Sequence, residues 1–355
     1  MSLTAAFRPA TVGLDIGSSA VKAVALKHNR GGWALTAAAE ATMPDGAIEG
    51  GVASQPAAVS EAIRQVMGTL RMNRATIAAA LSGHSIMIKR LTLPAMSQAE
   101  LDEAIPWEAE QYIPFDINEV QLDYQVINAG TDAAKTSLDV LLVAAKRDRI
   151  DDRAAVIAQA GRQPVVLDIE AFALANAYQM NYPERSDALA ALVHIGRSAT
   201  IVCLLERGEP AFTRDISLGG KLHVDALMRE FADIGLDELE ATRMIHGQVP
   251  DKIDAEQVSS VLRDATSQLV NEIRKTVDFY CATAPVERLS RVVVSGGACD
   301  ARGLIELMGT EFGAPVDVFD PFRRVTRPKK GIGVDVAGPA YAVAVGLAMR
   351  RERDR

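Results

Sequence analysis

The chain has 355 residues, 48% hydrophobic and 24% charged, a globular balance that excludes a disordered or fibrous protein and is long enough for two or three domains. Its formal net charge of -8 argues against nucleic acid as a partner, because binding to phosphate backbones needs a basic field. Cys203, Cys281 and Cys299 form no C-x-x-C pair, so neither a disulfide framework nor a zinc site is expected, and a reducing, cytoplasmic setting fits. No apolar stretch approaches the roughly 20 residues of a membrane span, so membrane association is expected to run through a partner.

Near the start, Leu14 to Leu26 reads as two β-rich runs joined by a glycine turn, the pattern of a hairpin. Val193 to Leu205 repeats that pattern just past the middle of the chain, with Gly196 in the turn. Two tandem lobes of similar construction are the expectation.

Between the copies the texture changes. Ile86 to Leu93 is a predicted strand stopped by Pro94, and Ser97 with Glu100 forms a capping box that opens a helix. Leu101, Ala104, Ile105, Ala109 and Tyr112 recur at helical spacing on its apolar side, while Glu100, Asp102, Glu103, Glu108 and Glu110 load the outer side. Pro106 removes one N–H and is expected to kink it. Strand-like runs at Val120 to Ile127 and Ser137 to Ala145, then an amphipathic stretch from Arg147 to Gly161, complete an α+β module inserted into the first lobe. Past the second glycine turn, helices are expected at Lys221 to Phe231, Glu238 to Ile245 and Asp254 to Tyr280. A strand at Arg291 to Ser295 runs into Gly296-Gly297. A helix at Gly303 to Phe312, a strand at Pro315 to Phe319 and an Ala- and Gly-rich helix at Pro339 to Met349 close the chain.

The chemistry starts at Asp15-Ile16-Gly17-Ser18-Ser19. A glycine at a hairpin tip has no Cβ to block approach, so backbone N–H groups and serine hydroxyls can converge on phosphate oxygens, with Lys22 adding charge. Asp15 suits a hydrated magnesium ion held through its oxygens. Taken alone, the same residues read more simply as a plain surface hairpin. The turn gains meaning from its companions further along the chain: Asp168-Ile169-Glu170 at a helix start, the turn at Gly196, and Ser295-Gly296-Gly297-Ala298 after a strand. That order resembles the actin, sugar-kinase and DnaK-type chaperone superfamily. GxxxxGK[ST] and GxGxxG are both absent.

A closer resemblance covers almost the whole chain. Val12 to Lys22, Ile88-Lys89-Arg90-Leu91-Thr92-Leu93-Pro94, Trp107 to Phe115 with its Tyr112-Ile113-Pro114-Phe115 stretch, and Leu122-Asp123-Tyr124-Gln125-Val126 are similar to the PilM family of type IV pilus assembly proteins, which are FtsA-like. The resemblance implies an α/β, actin-like (ribonuclease H-like) two-lobed ATPase fold with an inserted FtsA-type 1C subdomain. It implies subdomain 1A at 1–85 and 164–188, with helix 337–350 returning towards it. Subdomain 1C falls at 86–163, 2A at 189–216 and 287–336, and 2B at 217–286. Carried over by position, Asp15, Gly17, Ser18, Ser19 and Lys22 match the first phosphate loop, and Gly196, Arg197 and Ser198 the second. Glu240 and Arg243 match the helix along ribose and adenine, and Ser295, Gly296, Gly297 and Ala298 the adenosine turn. Glu170 falls where actin-like ATPases orient the attacking water; a solvated or helix-capping acid fits its spacing as well. The implied ligands are ATP and Mg2+, the metal held by Asp15 through water. The implied partners are the N-terminal cytosolic peptide of PilN, other inner-membrane pilus assembly proteins, and further copies of the chain in rings or filaments. The implied location is cytoplasmic and peripheral to the inner membrane through a partner.

One position departs from the pattern. The second loop usually opens with Asp, and here it opens with His194, whose neutral imidazole cannot offer the same charge to a hard cation. Nucleotide binding is therefore expected more firmly than hydrolysis. A sugar or metabolite kinase of the same superfamily and an FtsA-like filament former are the rival expectations. Ser82-Gly83-His84-Ser85 carries nucleophile and base types but reads more simply as a turn. The stretch Arg323, Arg324, Arg327, Lys329 and Lys330 fits a solvated loop, or a contact with phosphates or anionic lipid.

Overall fold

The structure is a computed structural model that describes residues 11–72, 74–83, 85–128, 137–183, 189–283, 289–333 and 338–351. His84 and parts of the expected subdomains, at 1–10, 184–188, 284–288 and 334–337, lie outside the described residues.

The first lobe opens with an antiparallel meander of β1 (Thr11–Ile16), β2 (Ala20–Asn29) and β3 (Gly32–Thr42). A short hairpin of β4 (Ile48–Glu49) and β5 (Val52–Ala53) leads to helix α1 (Pro56–Leu70) and strand β6 (Thr76–Leu81). The insertion comes next as β7 (Ile86–Pro94), α2 (Gln98–Glu110), β8 (Val120–Asn128) and β9 (Ser137–Lys146). Helix α3 (Arg147–Gln159), strand β10 (Pro164–Ile169) and helix α4 (Glu170–Asn181) complete this half. The second lobe contains strands β11 (Leu189–Ile195), β12 (Thr200–Glu206) and β13 (Glu209–Ile216), then helices α5 (Lys221–Glu230), α6 (Glu238–Ile245) and α7 (Ala255–Thr283). Strand β14 (Arg291–Ser295), helix α8 (Leu304–Phe312), strand β15 (Val316–Val318) and helix α9 (Ala342–Ala348) finish it.

The two lobes carry the same sheet. One has strand order β3-β2-β1-β6-β10 and the other β13-β12-β11-β14-β15. In each, the first three strands are antiparallel and the last two run parallel to the first. The expected tandem construction is thus a true duplication of topology. The inner strands are near-continuous apolar runs because helices cover both faces. Outer helices α1 and α3 cover the first sheet through Ile63, Met67, Val156 and Ile157. Helices α5, α7 and α8 cover the second through Leu227, Leu269, Ile273 and Met308.

Helices α4 and α9 form a layer between the sheets. Leu174 and Tyr178 of α4 and Val345 of α9 meet Val24 and Leu26 of the first sheet and Leu192 and Cys203 of the second in one buried cluster. The small residues foreseen in the last helix make this possible. A Cβ on Gly346 would lie 1.8 Å from the carbonyl oxygen of Ala173, and one on Gly13 would lie 2.1 Å from that of Ala344. The lobes are therefore joined by apolar packing and not by a linker alone.

In the insertion, strands β7-β9-β8 form an antiparallel sheet. Leu101, Ile105 and Ala109 of α2 cover it against Leu91, Leu93, Val140 and Leu142. Ser97 and Glu100 make the expected capping box, with Ser97 N donating to Glu100 Oε2 at 2.7 Å. Helix α2 runs through Pro106 to Glu110. Tyr112, expected on the apolar face, lies past the helix end and is 43% exposed, with the Lys89 ammonium 5.1 Å from its ring centre. Helix α3, inside the 86–163 span expected as the insertion, buries Val156, Ile157 and Ala160 in the core of the first lobe.

Candidate functional site

Each lobe presents the same glycine turn to the space between them. In the first, Gly17 N donates to Ala20 O at 3.1 Å; in the second, Gly196 N donates to Ala199 O at 2.9 Å. The turns touch at their tips, where Ser198 Oγ donates to Ser18 Oγ at 2.8 Å. Gly219 and Gly220 dock the start of α5 onto the second turn, with Gly220 N on Gly196 O and Lys221 N on Arg197 O, both at 2.8 Å. A Cβ on Gly219 would meet Gly196 O at 2.4 Å, so the close approach requires glycine there.

Between the turns lies a cavity of about 370 Å³. It gathers Asp15, Gly17, Ser18, Ser19, Lys22, Glu170, Gly196, Arg197, Ser198, Gly297 and Ala298 from the sequence-predicted set. The other four predicted residues lie outside its lining. Ser295 is buried behind it, its Oγ 3.0 Å from His194 Nδ1. Gly296 supports the turn at a φ of 98°, where a Cβ would lie 2.1 Å from Ile195 O. Glu240 closes a capping box with Asp237, and Arg243 is exposed. The α6 residues turned to the cavity are Thr242 and Ile245, followed by His246. The spacing along α6 decides this, because residues three to four apart share a helix face, and Thr242 and Ile245 take the one that meets the cleft.

Electrostatics divides the cavity. Burial raises the Asp15 carboxyl above its ordinary range, while Lys22, its cross-strand neighbour, and Arg153 act against that rise. Glu170 is pushed up to about 8, first by burial and next by repulsion from Asp15. His194 is pulled down to about 3 by burial, with Lys22 adding to the shift, so it is neutral and hydrogen-bonds to Ser295.

Three residues at or beside the cavity escaped the sequence reading. Arg153 of α3 is 5% exposed and donates to Ile16 O and Gly51 O, each at 3.3 Å. Asp215 at the end of β13 accepts from Gly83 N across the cleft. Asp45, in the loop after β3, accepts from Arg197 Nη2 at 2.8 Å and Lys221 Nζ at 3.1 Å. Those hydrogen bonds hold its carboxyl below the usual range, Lys221 foremost. Arg197 also pairs with Glu238. All three stand apart from the glycine motifs in sequence, which leaves no local signal to find them by. A second cavity of about 670 Å³ adjoins the first and shares Ser82, Gly83, Glu170 and Asp215 with it. Leu81, Ile86, Ile88 and Ile169 form its apolar wall.

Duplicated five-stranded sheets, a shared helical layer and two glycine turns facing across a cleft define the actin-like class of two-lobed α/β folds. Within that class, the chain belongs to the family described as type IV pilus assembly protein PilM, whose model matches residues 13–352. It is similar to a solved chain titled PilM-PilN type IV pilus biogenesis complex, with 28% identity and a TM-score of 0.83, covering 97% of this chain and 98% of that one. Ethanolamine utilization protein EutJ from Carboxydothermus hydrogenoformans shares the fold at 16% identity and a TM-score of 0.57, over 97% of this chain and 90% of that one. So does MreB5 of Spiroplasma citri bound to ADP, at 13% identity and a TM-score of 0.52, over 95% and 94%. Among the described residues no helix is long and apolar enough to cross a membrane.

Proposed function

We propose that the protein is an ATP-binding scaffold of type IV pilus assembly that holds the N-terminal cytosolic peptide of PilN and couples nucleotide state to that contact. The observation that carries the nucleotide half is the meeting of two equivalent glycine turns, Ser18 to Ser198, over a cavity lined by Lys22, Arg197 and Lys221. Their N–H groups, hydroxyls and cations suit phosphate oxygens, and Gly297 and Ala298 leave the opposite wall open to a base and sugar. The residues also fit a hydrated magnesium ion, which needs one or two carboxylates beside the phosphates, and Asp15 would hold it through water. Bound there, the ion would supply countercharge to the phosphates. The neutral His194 weakens the case for rapid hydrolysis, and Glu170, protonated near neutral pH, is a poor base until a cation or substrate lowers its pKa.

The partner half is supported by the similarity to a chain solved in a PilM-PilN complex. It is supported too by the second cavity, walled by the first lobe, by β7 at the edge of the insertion sheet and by the second lobe. An extended peptide there gains main-chain hydrogen bonds from an edge strand and apolar pockets for its side chains. PilN would then tether the scaffold to the inner membrane.

The test is co-purification with full-length PilN and with PilN lacking that peptide, alongside an ATP binding isotherm. Capture is expected with the full-length partner alone. Undiminished capture of the truncated partner would sink the peptide placement, and a flat isotherm at millimolar ATP would remove the nucleotide claim.

A further inference from the structure

Arg153 is a buried arginine that the phosphate-turn pattern does not account for. It comes from α3, is 5% exposed, and still reaches the wall of the nucleotide cavity. Burying a guanidinium is costly unless its donors are satisfied and its charge is met. Two of its N–H groups donate to Ile16 O, beside the first phosphate turn, and to Gly51 O, at the tip of the β4–β5 hairpin, both at 3.3 Å. A guanidinium has five N–H donors in a rigid plane, so these two bonds fix the plane and leave three N–H donors for other acceptors. Its charge is felt by Glu170 and Asp15.

Its position along the cavity is specific. Ser82, Gly83, Glu170 and Asp215 belong to the end shared with the second cavity, and Thr242, Ile245, Gly297 and Ala298 belong to the first cavity alone. Arg153 lines the first cavity, and its charge is felt by Glu170, which belongs to the shared end. A nucleotide whose base lay against Gly297 and Ala298 and whose phosphates lay between the two turns would share this cavity with the Arg153 guanidinium.

The helix that carries Arg153 has a second connection. Helix α3 begins at Arg147, directly after β9 ends at Lys146, and β9 is the central strand of the insertion. No linker separates the cavity-facing helix from the insertion sheet.

We propose that Arg153 binds the terminal phosphate of a nucleoside triphosphate and, through α3 and β9, transmits its presence to the insertion. This rests on the nucleotide reading above and adds to it a discriminating residue. Arg153 distinguishes triphosphate from diphosphate, and the insertion responds to that difference.

The experiment measures ATP and ADP affinities of the full chain by calorimetry for wild type, R153Q and R153K, with amide hydrogen exchange over residues 137–159. A charge-assisted fork is worth enough that R153Q should bind ATP at least about tenfold more weakly while ADP affinity falls less than about threefold. R153K keeps the charge without the fork and should recover part of the loss. Replacing ADP with ATP should slow exchange over 137–159 in wild type and not in R153Q. Equal losses for both nucleotides, as a purely structural arginine would give, or unchanged ATP affinity overturns the proposal. Should R153Q fail to fold, R153K decides alone, and an unchanged ATP-to-ADP ratio in that variant overturns it. A wild-type chain that binds neither nucleotide overturns the nucleotide reading together with this one, whereas wild-type binding with an unchanged ratio in the variants removes this one only.

Discussion

The two lobes share one sheet and one turn but not one chemistry. Aligned on their glycines, Asp15 corresponds to His194 and Lys22 to Ile201, and each pair sits in cross-strand register. A charged pair in the first lobe is thus an uncharged pair in the second. The packing differs at the matching position of the first strand too: Gly13 admits helix α9, whereas Leu192 fills the layer between the sheets. Between the third and fourth sheet strands the first lobe has a short hairpin and α1, while the second has α5, α6 and α7. Duplication fixed the scaffold, and the lobes then diverged: a charged cross-strand pair beside one turn, a helical wall after the other sheet's meander.

The strongest way to break the comparison is to force the lobes to be alike. Gly13→Leu gives the first strand the residue of its counterpart, and the added side chain has to enter the backbone of α9. Backbone overpacking of this kind is expected to cost about 3 kcal/mol or more, read as a fall in urea midpoint, with the lobes separating before either sheet melts. Leu192→Gly should cost a similar amount by the opposite route, a cavity.

A smaller effect comes from two of the titrating groups that face the cavity, His194 and Glu170. His194 has a folded pKa near 3, below its usual 6.5, so the unfolded chain binds the extra proton between those values and stability rises with pH across that window. Glu170 has a folded pKa near 8, above its usual 4.5, so the folded chain holds the extra proton and stability falls as pH rises between them. Each slope is below about 1.4 kcal/mol per pH unit, because both side chains border a water-accessible cavity. They oppose each other between 4.5 and 6.5, and of these two groups only Glu170 acts from 6.5 to 8. Glu170→Gln should therefore abolish the decline in that upper window, measured by chemical denaturation in buffers across it; a decline unchanged in the variant would refute the assignment.

The smallest effect lies at the contact between the lobes. Asp45 joins the first lobe to Arg197 and Lys221 of the second, but it is exposed, and surface ion pairs contribute little. Asp45→Asn should lower stability by no more than about 1 kcal/mol, with the difference shrinking at high salt. A loss that persists at high salt would mean that the contact works through something other than charge.

Much of the fold was legible before any tertiary information. Glycine turns between apolar runs announced both hairpins, Ser97 and Glu100 announced α2, and the spacing of Leu262, Leu269, Ile273 and Val277 announced α7. These signals are local, and local backbone preference suffices to express them. Eleven of the fifteen residues proposed for the site line the cavity, most of them because they belong to turns whose tips face the cleft. Glu240 and Arg243 do not, since a motif match locates a helix but not which side of it faces inward. Tyr112 was misjudged for a related reason: the helix stops before the face it was assigned to.

By itself, the sequence determined the two hairpins, their order, the inserted module and the family, all of which are written in short runs of residues. The tertiary structure alone decided that Arg153 reaches Ile16, beside the first glycine turn, from 137 residues away and that Asp45 meets Arg197 across 152. The physical reason is that a salt bridge or a buried guanidinium is specified by the packing of whole elements against one another. No short window of sequence contains both ends of such a contact.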